Sequence, residues 1–329
     1  MNINKVSLGK WVAPFVLFGA GLFSLVLIVR ADTANTTVVV GNSAPAISVD
    51  FNSGATITLN EGTFKYATAT LTITDANGCA TINYASAVAY VASSSIPAVK
   101  SCDNNDNNCY NMGSSTPSYP ANVGPLGACL AQTSGGGACT GGADTSITYD
   151  CGFKLWYIAH GTDATAPVWA SSIWGVSATT SDGIATTTAS NDGQTVEINA
   201  LNALSVSSSI SYGTLGAGAD TGATNSTTTA TTTGNTAIDS NVSGTDMSSG
   251  GNTLAVGQQC YLAAPFTWAS TCTGSVALTT GATALELSNA YPTSTTSPPS
   301  SDTSWGIGIP TGQANGTYTG VNTIDAIAD

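Results

Sequence analysis

The sequence predicts an all-β protein, two antiparallel β-sandwiches behind an N-terminal hydrophobic helix. Three observations carry that expectation. Only 8% of the 329 residues are charged, and Thr, Ser, Ala, Gly and Asn dominate, a composition that suits strands and turns better than surface helices. Apolar and polar residues alternate with period two in several separate stretches. Turn signals such as "DANG" (Asp75–Gly78) punctuate those stretches.

The clearest alternation is "FKYATATLTITD", where Ala67, Ala69, Leu71 and Ile73 take one face and Thr68, Thr70, Thr72 and Thr74 the other. In "TINYASAVAYV" alternation puts Ile82, Tyr84, Val88 and Tyr90 together on one side. "ITYDCGFKLWYI" sets Ile147, Tyr149, Cys151, Phe153, Leu155 and Tyr157 against Thr148, Asp150, Gly152, Lys154 and Trp156. "APVWASSIWGV" offers a further strand. Between about residues 92 and 146 the pattern breaks down into cysteines, an Asx cluster and a glycine run, which reads as a long insertion held by disulfides. A second unit starts with the extended run after Asn191 and continues through the Thr-rich "NSTTTATTTGN". The expected organisation is therefore 1–31 hydrophobic segment, 32–197 first sandwich with its insertion, and 198–329 second sandwich.

The N-terminus indicates export. Lys5 and Lys10 precede an uncharged apolar run from Trp11 to Val29, and Ala31 follows with Val29 two places before it. This fits a signal peptide cut after Ala31. The run is also long enough to be a retained membrane anchor, which needs about 20 residues. Either way the remainder is expected to be secreted or displayed at the cell surface, touching a membrane only through this segment. A formal charge of −13 and the lack of Lys/Arg clusters exclude nucleic acid as a partner.

Eight cysteines in an exported chain read as disulfides. Local closure predicts Cys102–Cys109 and Cys129–Cys139 within loops, Cys79–Cys151 between strands, and Cys260–Cys272 near the C-terminus. No C-x-x-C occurs, so a zinc cluster has no anchor.

Beyond these residues, "APAISVDFNSGATITLNEG…LTITDANGC", "CDNNDNNCY" and "CGFKLWYIA" resemble the first domain of secreted Ig-like surface proteins of small-genome uncultivated bacteria. "SSISYGTLGAGADTGATNSTTTATTTGN", "NVSGTDM" and "WGIGIPTGQANGTYTG" resemble their second domain. The resemblance runs from Ala44 to Ile327 and implies tandem Ig-like sandwiches at the cell surface. It brings no catalytic residue with it.

Little chemistry is legible. His160 is the only histidine, so any Ser-His-Asp or Cys-His arrangement must use it; its place after a predicted strand reads as an exposed loop position. No G-x-S-x-G occurs, and the three glutamates Glu61, Glu197 and Glu286 stand in strand-edge or turn context. An enzyme is not expected. "CDNNDNNC" carries half of a calcium loop: Asp103, Asn105 and Asn107 fall at positions one, three and five, with Asp106 between them. Asn108 stands where glycine belongs and Ser114 where the bidentate glutamate belongs. The loop is either a weak calcium site or a polar tip closed by Cys102–Cys109. Trp156, on the face opposite its apolar neighbours, is the candidate glycan-stacking platform.

The function expected is thus a non-enzymatic structural or adhesive surface protein, partnered by other surface proteins or by copies of itself. The alternatives are a glycan-binding module and a filament subunit, in which "ADTANTTVVVGNSAPAISV" (Ala31–Val49) completes a neighbour's sheet.

Overall fold

A computed structural model describes residues 36–92, 107–115, 129–166, 168–191, 194, 196–207 and 209–329. The structure is all-β, built of antiparallel sheets. The hydrophobic segment 1–31 lies outside the described residues, and no helix among those described is long and apolar enough to cross a membrane. Residues Asn42–Asp329 form one compact unit that contains two separate main cores.

The first core is enclosed by β1 (Ala46–Phe51), β2 (Phe64–Thr74), β3 (Tyr84–Ala92), β4 (Cys109–Ser115), β5 (Cys129–Ala131), β6 (Ser146–Trp156), β7 (Ile173–Ser181) and β8 (Thr186–Ser190). The sheet orders are β1-β2-β6-β5 and β4-β3-β7-β8. These are the A-B-E-D and C′-C-F-G orders of an immunoglobulin sandwich. β2 and β6 pair along their whole length, Phe64 opposite Trp156 and Thr74 opposite Ser146. Their alternation works as the sequence predicts: Ala67, Ala69, Leu71 and Ile73 are buried, as are Ile147, Tyr149, Cys151, Phe153 and Leu155.

β3 differs from expectation. Ala85, Ala87, Ala89 and Val91 face the main core, while Val88 and Tyr90 pack with Cys109 in a small separate cluster. Trp174 from β7 and Tyr110 from β4, the strands on either side of β3, fill the inward volume beside them, with ring centroids 5.9 Å apart. The strand that meets them can carry only small side chains at native packing density.

Two disulfides also differ. Cys129 pairs with Cys151 and Cys79 with Cys139, in place of the expected Cys129–Cys139 and Cys79–Cys151. The register of β5 on β6 places Cys129 directly opposite Cys151. The Gln132 N–H to Thr148 C=O bond makes that pair a non-hydrogen-bonded one, where facing side chains come closest. Cys79, in the turn after β2, is held to the far end of the insertion by its N–H to Asp144 C=O at 2.8 Å, which leaves Cys139 as its neighbour. Cys260–Cys272 forms as expected. Cys109 is disulfide-bonded; the Cys102 half of the expected pair lies outside the described residues.

The second core is enclosed by β9 (Leu204–Val206), β10 (Ser226–Thr232), β11 (Ile238–Gly244), the hairpin β12 (Met247–Ser249) and β13 (Asn252–Leu254), β14 (Gln259–Leu262), β15 (Val276–Ala277), β16 (Thr283–Asn289), β17 (Ser300–Ile307) and β18 (Asn322–Ala328). Its sheets run β15-β14-β17-β10-β9 and β16-β11-β18. Trp305 and Tyr261 form its centre, 5.5 Å apart and fully buried.

The junction is made by few residues. Ile198, the last buried residue of the first core, bridges Ile57, and Leu204 packs on the second core. Asn235 binds three backbone groups there: its Nδ2 donates to Ala159 and Asn199 carbonyls at 2.8 and 3.1 Å, and its Oδ1 accepts from Leu201 N–H at 2.7 Å. Thr233 Oγ1 donates to Glu61 at 3.0 Å. A Cβ at Gly234 would run into the Leu201 carbonyl, so only glycine lets the two backbones meet so closely.

Candidate functional site

Trp156 sits where alternation predicts, on the outer face of the β2–β6 pair, half-buried. Cross-strand pairing sets it against Phe64, and Tyr66 against Lys154. Phe64 meets Trp156 edge-on at 5.5 Å and Tyr66 at 5.1 Å. The Lys154 ammonium lies 4.1 Å from the Phe64 ring centre and 4.4 Å from that of Trp156. Such contacts are cation–π interactions, and they occupy the ring faces on which a sugar would stack. A glycan would have to displace Lys154 first.

Of the Asx loop, Asp103, Asn105 and Asp106 lie outside the described residues. Asn107 and Asn108 are half-exposed, and their carbonyls accept from His160 N–H at 2.7 Å and Val91 N–H at 3.0 Å. The described end of the loop is thus fixed by backbone bonds.

His160 is buried, 5% exposed, which corrects its expected place in an exposed loop. Rings from both sandwiches cover it: Trp169, in the β6–β7 connection of the first, lies 4.7 Å from its ring, and Tyr291 of the second lies 6.0 Å away. Burial lowers its pKa to about 4, because the charged imidazolium loses its hydration. Neither ring nitrogen has a partner, nor has Trp169 Nε1. The small cavity beside them, about 10 Å³, is also lined by Asn235 and Tyr291, with no carboxylate. It holds at most about one water. A neutral, desolvated imidazole beside aromatic rings has no group to orient it as a general base.

Two further features were not legible in the sequence. Asp239, Glu286 and Asp329 bring carboxylate oxygens within 4.8 Å of one another. Their local role is structural: a register shift in β11 frees amides of β16, and Asp239 Oδ1 accepts from Leu287 and Ser288 N–H at 2.8 and 3.0 Å. The other is a cleft of about 380 Å³ between β9 and β18, lined by Val206, Ile210, Tyr212, Gln259, Val321 and Ile324 among others. Tyr212 donates to Gln259 Oε1 at 3.0 Å, and Asn322 Nδ2 donates to the same oxygen at 3.0 Å. Burial raises the Tyr212 pKa well above that of an ordinary phenol, so the hydroxyl stays a donor. The cleft has an apolar wall and a satisfied polar floor.

No protein-family model matches the chain, and no curated protein matches it.

Proposed function

We propose that the chain is an exported, non-enzymatic structural or adhesive protein of the cell surface, as its resemblance to tandem Ig-like surface proteins implies. The observation that carries this reading is the disulfide framework. Cys79–Cys139 and Cys129–Cys151 tie the insertion to the first sandwich, and Cys260–Cys272 closes a loop of the second. Structural disulfides form and persist in oxidising environments and are rare in the cytosol. The N-terminal apolar run and its basic start supply the route outward. The single histidine spans the junction as a packing element, which fits a load-bearing role better than a catalytic one.

Mass spectrometry of the protein recovered from its native cells, digested without reduction, tests the reading. An extracytoplasmic pool with peptides cross-linked Cys79–Cys139, Cys129–Cys151 and Cys260–Cys272 is expected. A wholly intracellular, reduced protein would overturn it.

A further inference from the structure

The two sandwiches differ at one edge. In the first, β8 pairs with the outer side of β7 from Ser181 to Ser177. That cover continues through Asn191 N–H to Val176 C=O and Trp174 N–H to Val196 C=O. In the second, β18 holds the same place: it follows the strand paired to β10 and crosses over to pair with β11. No strand lies on its other side among the described residues. The bonds Thr245 N–H to Val321 C=O and Asp329 N–H to Ala237 C=O fix which amides point outward. They are those of Asn322, Ile324, Ala326 and Ala328, since residues facing β11 alternate with residues facing away. The apolar side chains Ile324 and Ile327 are only half-buried, whereas Trp174, Val176 and Ala178 of β7 are fully buried. The cleft between β9 and β18 runs along this edge.

A gap bounded by an unpaired strand edge and an apolar wall has the form of a missing strand. The chain itself carries a segment of that kind. Val38, Val39 and Val40 are 84, 89 and 78% exposed and belong to no strand, although β-branched residues favour pleated pairing. Of the described part of the Ala31–Val49 segment, only Ala46 onward joins its own sheet, as β1. We propose that the open edge of β18 accepts residues Thr36–Val40 of a second copy of the chain as an added strand. Val38 and Val40 then fill the cleft while their amides pair with the outward groups of β18.

The donor comes from a second copy because its own cleft is out of reach. Asn42 Nδ2 bonds Asp182, and Ser43 N–H bonds Asn77, both at the Thr74 end of β2. The second sandwich joins the first at the Phe64 end, through Gly62 N–H to Thr233 C=O and Glu61 to Thr233. β2 has 11 residues and so spans about 36 Å. The four residues from Val38 to Asn42 reach about 14 Å at most. A tether of that length from Asn42 does not carry the donor along β2 to the acceptor, so the contact joins two copies, and such contacts link copies head to tail into open chains. The inference rests on the structural reading above and names its partner. A displayed, disulfide-bonded protein that stays monomeric would sink the linkage and leave that reading standing.

The test is light scattering after size exclusion on the exported protein, over a wide concentration range. Wild type is expected to give a ladder of oligomers that grows with concentration. The donor variant Val38→Asp/Val40→Asp is expected to weaken association about 100-fold or more, since it puts two charges where apolar groups are buried. The edge variant Ala326→Pro, whose amide points outward, blocks the acceptor. A mixture of the two gives a capped heterodimer and nothing larger, because one good donor meets one good acceptor. If Ala326→Pro misfolds, a peptide of sequence TTVVVGN, corresponding to Thr36–Asn42, replaces it and is expected to break down wild-type oligomers. Wild type that is monomeric at every concentration overturns the proposal. So do oligomers that survive the donor substitutions unchanged.

Discussion

The first sandwich closes the outer edge of β7 with β8 and the chain that follows it; in the second, no strand among the described residues pairs with the matching edge of β18. The same sheet position therefore carries different loads. In β7, Trp174, Val176 and Ala178 are wholly buried, and the Trp174 indole donates to His160 C=O at 2.9 Å. In β18 the corresponding apolar residues are half covered, and no strand among the described residues pairs with the outward amides. The edge strand of one sandwich is closely packed, and that of the other is left half covered. Regions that bind are drawn from the less protected end of a structure.

The largest effect separating the two edges is core truncation. Trp174→Ala is expected to destabilise the first sandwich by about 4 kcal/mol, whereas Ile324→Ala on the open edge costs about 1 kcal/mol. Chemical denaturation of the two variants checks this, and equal losses would break the comparison. Next come the disulfides. Removing Cys79–Cys139, with a separation of 60 residues, is expected to cost about 4 kcal/mol, and Cys260–Cys272, with a separation of 12, about 3 kcal/mol. Melting of paired Cys→Ala variants measures both, and the order should follow loop length.

Acid should then act at the junction. His160 has a folded pKa of about 4 against an ordinary 6.5, so the unfolded chain takes up its proton first. Stability is full above about pH 6.5, falls as pH drops, and is lower by roughly 3 kcal/mol near pH 4. Asp144 and Asp182, whose carboxyls accept local backbone N–H bonds and are held below their usual 3.8, lose their contribution only at lower pH. Urea titrations at pH 7 and pH 4.5 should show the loss in wild type, and His160→Phe should abolish it. A loss that persists in His160→Phe would place the sensitivity elsewhere. The smallest effect belongs to the outer aromatic strip: Lys154→Met should cost about 0.5–1 kcal/mol through the cation–π contacts. No measurable change would mean that the strip is held by ring–ring packing alone.

The sequence made some of this legible, and the limits have physical causes. β2 and β6 are readable because each has one apolar face against the core and one polar face outward, so period two is unmixed. β3 is misread because its inward residues are alanines, and the larger Val88 and Tyr90 serve a separate cluster. The cysteine pairing follows strand register, which proximity in sequence does not encode: Cys129 stands opposite Cys151 only once β5 lies on β6. His160 reads as a loop residue locally, and its burial is completed by Asn235 and Tyr291, which lie far along the chain. Trp156 is placed correctly by alternation, yet the Lys154 contact that covers it depends on cross-strand geometry. The cleft beside β18 belongs wholly to tertiary structure, because an absent neighbour strand leaves no mark on the sequence of the strand it would have joined.

Amide hydrogen exchange reads the open edge of β18 most directly. In dilute protein the amides of Asn322, Ile324, Ala326 and Ala328 should exchange quickly while those of β7 stay protected on both sides. On raising the concentration the β18 amides should become protected together with those of Val38–Val40, and Val38→Asp/Val40→Asp should prevent it. Protection of β18 already present in the dilute monomer, or exchange that stays fast at every concentration, would contradict the account.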